Sequence, residues 1–423
     1  MESKDDFARR SSDAQYNTEV VPTSGISSGR APAPESSLQA PLARKALAGF
    51  FLSGLLFAFL GAILPAWRHH LAENYLTVGN YFLSMNVGIL ASLGLARWVL
   101  GRRSSRALLV IACSMACASF VYLALIPTGA PESWRMIGTF GLGAGAGLLN
   151  RAVFQAISAV YRHDPAATTN LSGTFFGLGS VVIAILVAGT FYAYTVASIL
   201  VFIALIPGFF AIMYARSHVP FDPPAEASWS QTVAGLKSPG AVLFTLLLFF
   251  QFGNEWSIAG WLPLFLIQRI GISPESSLLM LAVYWMALLV GRVVVQALLP
   301  GVSHGKLLMS SVVAAMFGCT VLLATNNSFG AVSGILLVGG GFASVYPLVV
   351  EKIGGRFPNY HPGLYNGLFS FALSGGLIAP WSLGFFADRW GIQVVMGLPL
   401  LGTLMVFMLL LAIWAEAKLM ATR

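Results

Sequence analysis

From Ala46 to the last residues, apolar stretches of bilayer-spanning length follow one another with only short polar breaks between them. A spanning helix takes about 20 predominantly apolar residues. The expected spans are 46–66, 79–100, 107–126, 134–160, 170–192, 195–215, 240–267, 276–298, 307–324, 329–350, 363–386 and 391–414. Composition fits this reading: 57% of the 423 residues are hydrophobic and 9% are charged, against roughly a quarter charged in a soluble domain. The solvent for most of the chain is lipid. The formal charge of +8 is carried by short basic clusters between apolar runs, which points to membrane topology and away from a nucleic-acid partner.

The expected organisation is all-α, with twelve transmembrane helices in two six-helix halves. Residues 1–45 are rich in Ser, Ala, Pro and charge and read as a disordered cytoplasmic tail. Residues 46–215 form an N-terminal bundle and 240–416 a C-terminal one. The break at 216–239, with Pro220, Asp222, Pro223, Pro224 and Glu226, is a cytoplasmic linker. Sorting the basic residues sets the orientation. With the N-terminus inside and Lys4, Arg9, Arg10 and Arg30 left out, thirteen Lys and Arg from Arg44 onward fall on the cytoplasmic side, and Arg68, Arg135, Arg269 and Arg389 on the outer side. A multi-pass protein of the inner (plasma) membrane, with both termini cytoplasmic, is expected. Two halves around a central cavity is a layout of secondary transporters.

Short motifs add a resemblance. Gly94, Gly101, Arg102 and Arg103 keep the spacing of the loop between the second and third helices of the major facilitator superfamily, with Trp98 where that pattern carries an Asp. The seventh span reads Gly253-Asn254-Glu255-Trp256-Ser257-Ile258-Ala259-Gly260-Trp261. The eighth carries Tyr284-Trp285 before Gly291-Arg292. The tenth has Gly341-Phe342-Ala343 with Tyr346-Pro347, then Arg356-Phe357-Pro358, and the eleventh Gly375-Gly376 with Pro380 and Gly384. In this order they resemble the superfamily's fucose-permease-like branch. The resemblance implies alternating-access transport, often of sugars and often coupled to protons, with Gly94, Gly101, Arg102, Arg103 and Arg292 in gating. Carboxylates that the fucose-permease type carries in its first and fourth helices have no counterpart here: the first span lacks ionisable residues between Phe50 and Pro65, and the fourth offers Asn150-Arg151.

Of the sixteen acidic residues, Glu255 is the one deep within a span. A charge at mid-membrane costs about 2.5–3.5 kcal/mol on insertion scales, so such a residue is paired, hydrated or protonated. Glu255 is read as the proton site or as a hydrogen-bond acceptor for the solute, the bland alternative being a structural ion pair. At 1.5 Å per residue it lies roughly 18 Å from the outer end of its helix, and Arg151 and Arg292 roughly 24–26 Å down theirs. Arg151 is favoured as the partner that faces the cavity. Gln251 shares a helix face with Glu255 at i, i+4, and Asn254 shares another with Trp261. With Asn150, Tyr284, Tyr346 and Asn366 they complete the expected binding set, and Trp256 and Trp285 are further aromatic candidates. Rings stacking on a polyhydroxylated ligand while amides bond its hydroxyls would suit a sugar.

Other features read as structural. Gly138, Gly141, Gly143, Gly145 and Gly147 permit close helix approach and lack the strand–turn–helix context of a nucleotide fingerprint. Cys113, Cys117 and Cys319 are packing residues, and His69, His70 and Glu73 make a solvated loop face rather than a metal site. No cofactor or metal is expected. The expected partners are a small-molecule solute, protons where transport is coupled, and the lipid bilayer, with the chain acting as a monomer. Within transport the competing reading is an exporter of amphipathic or anionic compounds. A membrane enzyme is disfavoured, because no loop gathers three plausible catalytic groups.

Overall fold

The computed structural model describes residues 36–72, 74–100, 105–127, 129–157, 165–217, 239–356 and 362–421. The chain divides into two compact units, Met1–Gln39 and Ala40–Arg423. Of the first, only the opening residues of α1 fall among those described, and the architecture below is that of the second.

Twelve long helices carry the fold: α1 (Ser36–Ile63), α2 (Tyr75–Leu100), α3 (Ser105–Leu125), α4 (Glu132–Ala156), α5 (Pro165–Thr190), α6 (Val196–Ala215), α7 (Pro239–Phe265), α8 (Pro274–Leu298), α9 (His304–Ala324), α10 (Ser328–Arg356), α11 (Pro362–Trp390) and α12 (Val394–Ala421). Each coincides with one expected span. Among the described residues, nine helices are long and apolar enough by themselves to cross a membrane. A single turn, His69–Ala72, lies in the connection between α1 and α2, and a π-helical turn, Leu266–Ile270, extends α7 to Gly271, whose φ of 76° ends it.

Three boundaries differ most from expectation. Helix α1 begins at Ser36, inside the segment read as tail, because Leu38, Ala40, Leu42 and Ala43 are good helix formers. Helices α10 and α12 outrun their apolar stretches, and an ion pair between Arg356 and Glu416 ties their ends together. Residues 1–35 of the expected tail and 218–238 of the expected linker lie outside the described residues.

Direction alternates from helix to helix, so residues 40 and 421 share one end of the molecule, the near end, while Ile63, Leu125 and Thr190 reach the far end. Within the first half α2 packs on α4, and α3 on α4 and α6. Within the second, α7 packs on α11 and α12, and α10 on α8 and α9. The halves meet through α5 with α8 and α2 with α11. Glycine decides how closely. A Cβ on Gly61 would lie 2.3 Å from the Ala259 carbonyl oxygen, and one on Gly384 would lie 2.6 Å from the Gly79 Cα, so these backbones touch directly, as small residues allow in membranes.

The buried core is asymmetric along the helix axes. One apolar cluster fills the first half and continues across the far end of the second through Ile258, Trp261, Phe265, Leu281, Phe342 and Val395. The near end of the second half packs separately around Phe244, Leu247, Leu308, Val345, Leu348 and Val406. The hydrophobic contact between halves is therefore continuous far from the termini and divided close to them.

Candidate functional site

The middle of the seam is built by α5, α7 and α8, with α1 alongside. The Trp256 ring of α7 lies over Gly376 of α11 and reaches across the seam, meeting Phe57 of α1 at 5.1 Å and Phe176 of α5 at 6.2 Å, both edge-on. Phe176 also meets Trp285 of α8 at 6.5 Å. One residue before Trp256, the Glu255 main-chain oxygen accepts from the Tyr284 hydroxyl of α8 at 3.2 Å. Among the described residues Glu255 is the one carboxylate away from helix ends.

The cation whose field reaches Glu255 is Arg292. Arg292 is held at the α5–α8 contact, where its Nη1 would lie 2.4 Å from a Cβ on Gly173. The side chain of Arg151, the partner favoured from sequence, forms no hydrogen bond or ion pair among the described residues. It shares a face with Gly147, which packs on Ser92 of α2, and α4 packs chiefly on α2 and α3, with Phe154 against Phe50 of α1. Helix pairing, which the sequence does not carry, selects Arg292.

Four polar atoms around this point are buried without a hydrogen-bond partner: Nε2 and Oε1 of Gln251, Nε1 of Trp285 and Nε of Arg292. The Gln251 amide is near enough to act on the Glu255 carboxyl, yet neither of its polar atoms completes a hydrogen bond. An orphaned buried group costs about 1–3 kcal/mol, and native proteins leave few of them without a reason.

The remaining expected residues scatter. Asn254 faces α12, donating to the Thr403 hydroxyl at 3.4 Å in a niche that Gly402 leaves open. Trp261 is fully buried at the far end, donating to the Pro380 main-chain oxygen at 2.9 Å and stacking on Phe82 of α2 at 6.0 Å. Tyr346 packs against Phe252 at 5.4 Å, and Asn150 is half-buried on α4. Asn366 lies on α11, with its side chain outside the described residues. Of the expected gate, Gly94 is exposed with open space around it, and Gly101, Arg102 and Arg103 lie outside the described residues.

Sequence reasoning missed the far-end closure. Gln268, displayed by the π-helical turn after α7, accepts from the Tyr75 hydroxyl at 3.0 Å and donates to the His70 main-chain oxygen at 3.2 Å. Toward the middle of the seam, Asn86 of α2 donates to the Leu377 main-chain oxygen of α11. The connection that presents His70 is itself anchored: Tyr81 donates to Glu132, Arg135 pairs with Glu132 at 3.0 Å and lies over the Trp67 ring, and His69 is buried between Trp67 and Tyr81. This corrects the solvated loop face expected for His69 and His70. Burial pushes the His69 pKa down to about 4; Glu132 opposes that shift, and Arg135 and His70 add to it. Glu73 lies outside the described residues, and among those described no three His, Cys, Asp or Glu gather as metal ligands.

Comparison with known proteins matches this geometry. The family model described as Major Facilitator Superfamily aligns with residues 136–380. A protein of Yersinia pestis, described as an uncharacterized MFS-type transporter, is 23% identical over 376 residues, covering 87% of this chain and 93% of its own. The crystal structure of the E. coli fucose:proton symporter superposes with a TM-score of 0.60 at 15% identity, over 88% of this chain and 98% of that one. That of the nucleoside transporter NupG superposes at 0.65 with 13% identity, over 90% and 99%. At these identities the superpositions speak for the fold.

Proposed function

We propose a function on one premise: this chain belongs to the Major Facilitator Superfamily, and is a membrane transporter of that superfamily. In our reading it moves a small polar, sugar-like solute by alternating access, both termini facing the cytoplasm of a cell whose inner (plasma) membrane holds it, as a monomer. Residues 46–215 and 240–416 are the two moving bodies, joined by 216–239. With that orientation the far end is the outer one, and the described contacts are those of a carrier shut toward the outside.

The observation that carries the reading is Glu255, a lone carboxylate at the middle of the seam, beside a cation from the facing α5–α8 contact and within a ring of aromatic side chains. A carboxyl balanced between burial and a nearby cation can take up and release a proton as its surroundings change. Solute on the aromatic wall and a proton on Glu255 would then bias the same rearrangement, which is what coupling requires.

The test is transport by the purified chain in proteoliposomes. Sugar counterflow, which needs no gradient, should proceed in both the native chain and Glu255→Gln. Uphill uptake driven by an imposed proton gradient should be lost in the variant alone. Equal gradient-driven uptake by the two would remove Glu255 from coupling, and absence of counterflow for every sugar would remove the sugar-like solute.

A further inference from the structure

Beyond the transport reading, on which this rests, the orphaned polar atoms point to the charge of the cargo. We propose that Gln251, Trp285 and Arg292 hydrogen-bond the solute, and that with Glu255 they select an uncharged polyhydroxylated ring over its carboxylate-bearing counterpart.

Two of the three side chains share a depth, and the third lies about 10 Å nearer the termini on the same face of α8. Counted from the near end at 1.5 Å per residue, Gln251 on α7 and Trp285 on α8 lie at nearly equal depth, about 18 and about 20 Å. Arg292 is seven residues after Trp285, on the same face of α8, and its field reaches Glu255 one turn above Gln251. Each presents an enclosed polar atom that completes no hydrogen bond among the described residues, although the Gln251 amide lies close to the Glu255 carboxyl. Together they leave unanswered two kinds of donor, from an indole and a guanidinium, and an amide that both donates and accepts.

Those demands specify a ligand. A hydroxyl donates and accepts, so neighbouring hydroxyls on one ring can satisfy the indole, the guanidinium and both ends of the amide together. The edge-on cluster of Phe57, Phe176 and Trp256 supplies the apolar surface that a sugar's C–H face covers. A carboxylate only accepts. It would leave Gln251 Oε1 without a donor and set a second negative charge beside Glu255 in a place where charge is weakly screened. The solute is chosen before Glu255 takes up its proton, and in that state Glu255 balances Arg292, so the cation does not invite a carboxylate. Arg151 has no counter-ion among the described residues but belongs to the α2–α4 packing, so the balance at the α7–α8 seam is one plus and one minus.

Pairs of neutral sugars and the matching uronates, galactose with galacturonate and glucose with glucuronate, separate charge from shape. Counterflow by the full chain in proteoliposomes, with thermal stabilisation in detergent as the binding readout, should show exchange of neutral members and rejection of uronates by at least about tenfold. Glu255→Gln, which frees Arg292, should narrow or invert that ratio. Trp285→Phe and Gln251→Leu should raise the apparent KM for the neutral sugar about tenfold or more while leaving kcat near native, since they remove bonds made in the bound state. A native chain preferring uronates would overturn charge selection and leave the sugar reading standing. Unchanged KM in both variants, with native thermal stability, would overturn the residue assignment. No exchange of any member by a folded native chain would remove the sugar reading and this inference with it.

Discussion

The two ends of the seam are made differently. At the far end, α2 touches α11 backbone to backbone at Gly79 and Gly384, Gln268 bridges Tyr75 and His70, and the apolar core runs unbroken from one half into the other. Nearer the termini, the α5–α8 contact is made by side chains lying over glycines, Arg292 on Gly173 and Leu289 on Gly177, and the second half keeps a core of its own. Backbone contact is rigid and short-ranged, and it is either made or lost. Long side chains over glycine can slide and re-pack. The difference teaches that a carrier can hold one end as a latch and the other as a bearing, using the same few residue types in different places.

The sharpest way to break the contrast is Gly384→Leu. Its Cβ would fall 2.6 Å from the Gly79 Cα, and forcing such a contact costs about 3 kcal/mol or more. A cysteine placed at Thr77 should then react with a membrane-impermeant maleimide far faster than in the native background, and an unchanged rate would contradict the latch.

Acid should loosen the same end through the His69 anchor. With its pKa near 4 in the folded protein against an ordinary 6.5, His69 takes up its proton more readily in the unfolded chain. Its contribution is complete above about pH 6.5, falls as pH drops toward 4 and levels off below, by up to about 3 kcal/mol. Melting of the detergent-solubilised protein followed between pH 7 and 4 should track this, and His69→Phe should flatten the curve.

Gln268→Leu removes two hydrogen bonds across the seam, worth about 0.5–1.5 kcal/mol each. It should shift the far end toward opening by roughly five- to a hundredfold, read as a change in the distance distribution between spin labels at residues 71 and 271. Gly94→Ala is the control at the other end: a Cβ there meets nothing within 4 Å, so stability should move by less than about 0.5 kcal/mol. A large effect would mean that Gly94 lies at a working contact after all.

Much of the fold was legible because lipid imposes a length and a polarity on every span, and all twelve helices fall where hydropathy put them. Glu255 was legible for the same reason: an acid in hydrocarbon stands out. Its partner was not, because Arg151 and Arg292 lie at similar depths and only the pairing of α5 with α8 distinguishes them. Asn254 faces α12 for a similar reason: helical spacing relates residues to one another without saying which neighbour a face will meet. Gln268 gave no signal, since its role depends on a π-helical turn that re-aims a side chain near the end of an ordinary apolar run.

The hydrogen bonds that join helices from the far end to the middle of the seam share one trait with a practical consequence. His70, Leu377 and Pro380 all receive their hydrogen bonds on main-chain oxygens. Amino-acid exchange leaves a main-chain oxygen in place, so random mutagenesis screened for leaky carriers should recover hits at Gln268, Asn86 and Trp261 and few at the positions they grip. A map of such hits would look one-sided, although the grip itself has two sides.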